Sequence, residues 1–148
     1  SSVVWSGYGI RYKTLKPKWK PVTQWSHRFL SVGMSNCNQF FGTFRDSTLT
    51  YSNRNPRMRL LNGAQGGKDL ENLLNPNDTY WTTLDQIISN SNASHLRVQA
   101  IWFMQAVHIT KIPFGQGLAH IDTEEKKFLS LFQRLQSKFP NLKQLYCS

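Results

Sequence analysis

Two cysteines, eight acidic side chains and no long apolar run are the scarcities of this 148-residue chain. Cys37 and Cys147 form no C-x-x-C pair and no metal-ligand spacing, so neither a dithiol redox motif nor a zinc site is supported. Pairing between the two stays open. No apolar stretch approaches the roughly 20 residues that a helix needs to span a bilayer. Gly-x-Gly-x-x-Gly and the P-loop pattern are both missing, which makes an anion cradle formed by the glycines of 63–67 the weakest of the binding readings. No repeat or low-complexity segment is found. The chain begins without Met or a signal-peptide pattern and stops just after a strand-like run, so both ends read as cut.

What is abundant is positive charge. Eighteen Lys and Arg against eight Asp and Glu give a formal charge of +10. Arg11, Lys13, Lys16, Lys18, Lys20 and Arg28 fall within the first 28 residues, where there is no acid. This region reads as a basic arm over 1–27, with Lys16-Pro-Lys-Trp-Lys-Pro21 favouring extended backbone. Such an arm suits phosphates, acidic glycans or anionic lipid, with Trp19 free to stack; a solvated edge with one aromatic tucked in is the favoured alternative. Nucleic acid is disfavoured but not excluded by charge alone. The hydrophobic fraction of 39% and the many aromatics indicate a folded domain over the remaining 28–148. Two sequons, Asn77-Asp-Thr79 and Asn92-Ala-Ser94, carry little weight in an Asn-rich chain. The reading leans towards an extracytoplasmic or secreted setting, and the oligomeric state is not legible.

Apolar runs at 29–33, 58–61, 97–104 and 142–146 predict four strands. Between them, 38–44 suits a short helix, 47–57 a loop, 68–74 a helical turn, and 79–89 a helix with Tyr80, Trp81, Leu84, Ile87 and Ile88 at helical spacing. Residues 106–120, with Pro113, Gly115 and Gly117, read as a lid-like loop. Asp122 and Glu125 then form a capping-box pattern before a helix whose stripe is Phe128, Leu131, Phe132, Leu135 and Phe139, ended by Pro140. Strands alternating with helices imply an α/β class, a three-layer α/β/α domain with a flavodoxin-like parallel sheet. Trp102 and Phe103 are expected in the core.

In such a sheet reactive groups collect beyond the carboxyl ends of the strands. Three successive tips offer Ser35 after Gly33, then Gly66 and Gly67, then Gln105. A hydroxyl beside backbone and amide N–H donors is what acyl transfer requires. Taken alone, Gly33-Met-Ser-Asn36 reads more readily as an ordinary turn. Asp69 reads as a helix-start residue rather than a catalytic carboxylate.

Gly33-Met-Ser-Asn36, Asn62-Gly-Ala-Gln-Gly-Gly67, Tyr80-Trp81 and Val98-Gln-Ala-Ile-Trp-Phe-Met-Gln-Ala106 together resemble the SGNH, or GDSL-type, hydrolase superfamily over about 28–148. The resemblance implies that Ser35 is the nucleophile, that Ser35 and Gly67 (Gly66 if the register slips by one) supply oxyanion-hole N–H groups, and that Gln105 stands about where the family has Asn. It further implies hydrolysis of a carboxylic ester, such as an acetylated sugar or lipid-like ester, with no metal or organic cofactor. The family's Asp-x-x-His block is missing, since Gln24, Asn92, Gln105 and Gly117 precede His27, His95, His108 and His120 by three. Truncation before that block is the simpler account, and whether this chain is itself an enzyme stays open. His108 and His120 are the candidates for reaching the site from a lid. The rival reading is a non-catalytic α/β module that holds an acidic polymer through the basic arm.

Overall fold

Along the first strand of the main sheet, alternate side chains point to opposite faces, as the two-residue period of a strand demands. Leu30 and Val32 enter one core while Phe29 and Ser31 face the other way. The computed structural model describes residues 3–6, 9–12, 27–105 and 117–148, with side chains over 27–105 and 121–148. The lysine-rich stretch with Trp19, the segment 106–116 with His108, and the side chain of His120 lie outside the described residues.

Strands β1 (Val3–Ser6) and β2 (Gly9–Tyr12) pair antiparallel, with Ser6 opposite Gly9. The first residues of the basic region thus form a two-stranded antiparallel pair, while Lys16 to Pro21, on which the extended reading rests, lie outside the described residues. The pair's alternating Val, Trp, Ile and Tyr, divided by glycine, is the composition a hairpin favours. The main sheet contains β3 (His27–Gly33), β4 (Met58–Asn62), β5 (Val98–Met104) and β6 (Gln144–Cys147), all parallel and ordered β4-β3-β5-β6. This is the flavodoxin-like order, in which the direction of strand addition reverses between the first and third strands. Here that switch point lies between β3 and β5.

Helix α1 (Ser35–Leu49) covers one face, its Phe41 packed edge-on to Phe29 and tilted against Trp102, at 5.5 and 5.7 Å between ring centres. The other face is covered by α2 (Leu70–Leu74), α3 (Thr79–Asn90) and α4 (Gly117–Lys138). The α/β/α sandwich is thus complete in three layers. Leu30, Val32, Tyr80, Leu84, Ile101, Phe103, Leu131, Leu135 and Phe139 join in one buried cluster there. Each large apolar side chain withdrawn from water contributes about 1.5–3 kcal/mol, so this is the face that holds the domain together. Phe103 belongs to this core, and Trp102 to the aromatic cluster under α1.

Two expectations change, and one open question closes. Helix α1 runs on to Leu49 because nothing between Thr43 and Leu49 breaks it, and Thr48 Oγ1 donates to the Arg45 carbonyl inside the last turn. Helix α4 begins at Gly117, so Asp122 is an interior residue and caps nothing. Leu118 and Ala119 are strong helix formers and extend the helix upstream of the apparent capping box. Both cysteines are free, Cys37 buried and Cys147 exposed. Asp69 behaves as expected: it is the N-cap of α2, in a reciprocal capping box with Asn72.

Candidate functional site

The site is built at the switch point, where β3 ends at Gly33 and α1 begins two residues later. Gly33 has φ +152, and a Cβ there would overlap the Met104 carbonyl oxygen at 1.9 Å. Glycine is required for β3 and β5 to stay in close register to their tips. Met34 follows as the N-cap of α1 and provides no side-chain cap. Ser35 is therefore the first residue of the helix. The uncapped N–H groups of this turn give the crevice a partial positive charge.

The second tip folds back against the first. Gln65 N–H donates to the Gly33 carbonyl at 2.9 Å, and a Cβ built on Gly66 would stand 4.0 Å from that of Ser35. Gly67 has φ +72 and meets open space. Ser35 and Gly66 thus approach one another although the two tips lie about 30 residues apart, and Gly67 is the next residue of the same loop.

Gln105 closes the group from the third tip. Its Nε2 donates to the Lys68 carbonyl at 3.1 Å, while its buried Oε1 has no hydrogen-bond partner. One amide hydrogen is thereby committed to fastening the glycine loop to β5. The structure gives Gln105 a visible positioning role.

Sequence reasoning missed the polar frame behind these residues. Ser31, fully buried, accepts the N–H groups of Gly63 and Ala64 at 3.1 and 3.3 Å and donates to Asn62 Oδ1 at 2.6 Å. Asn62 in turn donates to the Asn38 carbonyl, and Asn38 to the Ala64 carbonyl at 2.7 Å. The loop carrying Gly66 and Gly67 is tied by this frame to β3 and α1. From the opposite face the Tyr80 hydroxyl accepts the Gly33 N–H at 3.2 Å, and burial drives that phenol well above its ordinary range. A serine interrupting an apolar strand, and asparagines flanking a glycine loop, were the available signals.

Lys68 Nζ binds Asp78 at 2.7 Å, and Asp78 also caps α3 through the Tyr80 N–H. The Lys68 hydrogen bond, reinforced by Tyr80 N–H and Asn72, holds the Asp78 carboxyl down to about 2. Burial pushes the Cys37 thiol up to about 11, which rules it out as a nucleophile at neutral pH.

His27 opens β3, and His95 pairs with Asp85 beside the end of α4, so both stand at the amino end of the sheet, away from Ser35. The backbone of His120 lies in the first turn of α4. That helix ends beside the start of β5, where Lys143 N–H donates to the Gln99 carbonyl, and so begins on the carboxyl side. Among the described residues, no group of three or more His, Cys, Asp or Glu could hold a metal, and no helix is long and apolar enough to cross a membrane. No family model, curated protein or solved structure matches this chain.

Proposed function

We propose that the chain carries the nucleophile and oxyanion-hole portion of a serine ester hydrolase of SGNH type. The observation that supports this best is the meeting of Ser35 and Gly66 at the switch point, 4.0 Å apart at their β-positions. Ser35 Oγ would attack the ester carbonyl carbon as its proton passes to a base. The N–H groups of Ser35 and Gly67, or Gly66, would hold the developing oxyanion. Collapse expels the alcohol and leaves an acyl-Ser35, which water hydrolyses to the free acid. The substrate is a carboxylic ester, such as an acetylated sugar or lipid-like ester. The base would come from His108 or His120 or, as the resemblance has it, from an Asp-x-x-His block that this sequence does not contain.

Labelling with a fluorophosphonate probe tests this on the full-length protein. Labelling that is lost in Ser35→Ala supports the reading, and undiminished labelling of that variant removes Ser35 from the chemistry. A second reading, an acidic-polymer module, is favoured by the acid-free basic region of the first 28 residues. It requires binding that weakens steeply with salt and is indifferent to Ser35→Ala.

A further inference from the structure

At the amino end of the sheet, far from Ser35, the end of α1, the 50–57 loop and the outer side of β4 enclose an open cavity of about 500 Å³. Its floor and walls are Phe44, Leu49, Tyr51, Pro56, Met58 and Leu60. Leu49 and Tyr51 are 61% and 70% exposed, an unusual outlay of apolar surface among the described residues. Arg45, Arg54 and Arg59 also line it, and Arg57 lies in the same loop.

The arginines supply the second half of the argument. Asp46 is the sole acid between Phe44 and Leu60, and Arg45 already pairs with it. Among the described residues, the guanidinium groups of Arg54, Arg57 and Arg59 make no hydrogen bond or ion pair. The chain's own 13–26 segment carries Lys13, Lys16, Lys18 and Lys20 and no acid, so it has the wrong sign to neutralise this rim.

We infer that this cavity binds a single-chain amphiphile with an anionic head group, its hydrocarbon on the Phe44, Leu49 and Met58 floor and its carboxylate or phosphate against Arg54 and Arg59. The volume is that of a small-molecule site, and an apolar lining with a few placed cations is the chemistry such a ligand needs. A guanidinium fork matches carboxylate and phosphate equally. This site is separate from Ser35 and does not depend on the hydrolase reading.

Titration of the full ¹⁵N-labelled chain with monomeric dodecanoate, dodecyl phosphate and dodecanol tests the inference. Saturable shifts of amides in 44–60, without matching shifts at 33–36 or 64–67, are expected. Binding should weaken about tenfold or more in Arg54→Ala/Arg59→Ala, and for dodecanol relative to dodecanoate. Preference for dodecanoate identifies fatty carboxylates as the source, and preference for dodecyl phosphate identifies phospholipid-derived amphiphiles. The inference is overturned if neither anion saturates, if dodecanol binds equally, or if the double variant, with an otherwise unchanged spectrum, binds as before. It also fails if dodecanoate is refused while polyglutamate shifts 44–60, which assigns an acidic polymer, or while dilution shifts them, which assigns a second copy of the chain.

Discussion

The two ends of the parallel sheet treat their polar groups in opposite ways. At the carboxyl end, Ser31, Asn38, Asn62 and Tyr80 spend their hydrogen bonds on one another and on the backbone of the strand tips, and the Gln105 amide nitrogen is tied to the Lys68 carbonyl. At the amino end, Arg54 and Arg59 line a cavity with exposed apolar side chains, and their guanidinium groups make no hydrogen bond or ion pair among the described residues. A frame whose groups satisfy one another holds backbone donors still, as transition-state stabilisation demands. Solvent-exposed cations beside apolar surface would instead, on the inference above, suit a ligand that brings both halves of the match. The difference is between polar groups fixed by one another and cations left to solvent.

Substitutions at the two ends should therefore differ in kind. The largest loss is expected for Gly33→Ala, because the added methyl meets the Met104 carbonyl oxygen and the φ of +152 is strained for any other residue. More than about 3 kcal/mol of stability should disappear in denaturant unfolding. Ser31→Ala comes next: it strands the Gly63 and Ala64 N–H groups, at about 1–3 kcal/mol for each buried donor left unpaired, and should weaken fluorophosphonate labelling by displacing the glycine loop. Unchanged labelling would break the link between the frame and the site.

A smaller effect should follow pH at Asp78. Its folded pKa, held down to about 2 chiefly by Lys68, lies below the unfolded value of about 4. The stabilisation is thus fully present above the unfolded value and lost as pH falls through the folded one. The stability gap between the native chain and Asp78→Asn should narrow as acid unfolding is followed from about pH 5 to about pH 2; a constant gap would show that charge is not what Asp78 contributes. The smallest effect belongs to the amino end, where Arg54→Ala/Arg59→Ala should leave stability within about 0.5 kcal/mol of the native chain. A large loss there would mean that the arginines are structural and would erase the contrast.

Much of the scaffold was legible because it depends on short-range pattern. The near-continuous apolar run of β5 identified a central strand covered by helices on both faces, and the stripe of Phe128, Leu131, Phe132 and Leu135 identified α4. Asp69 as a helix cap could be read from its place ahead of Leu70. The start of α4 could not, because Asp122 with Glu125 imitates a cap and only the packed chain shows the helix already under way. Likewise, the glycine-divided first residues look like part of a basic arm until β1 and β2 are seen paired in register.

Of the candidate site, Ser35, Gly66, Gly67 and Gln105 could be chosen from the sequence because strand tips, glycines and polar residues are visible in one dimension. The direction of Gln105 could not: its amide nitrogen points to the Lys68 carbonyl, a contact across 37 residues. The Ser31, Asn62 and Asn38 frame and the Arg54 and Arg59 cavity are likewise assembled from segments that meet only when the strands align. The sequence by itself determined the alternation of strands and helices, the excess of positive charge and the residue types at each strand tip, because these follow from local periodicity and composition. Tertiary structure alone decided which tips touch and which cations go unpaired, because hydrogen bonds and burial depend on distances that chain order does not encode.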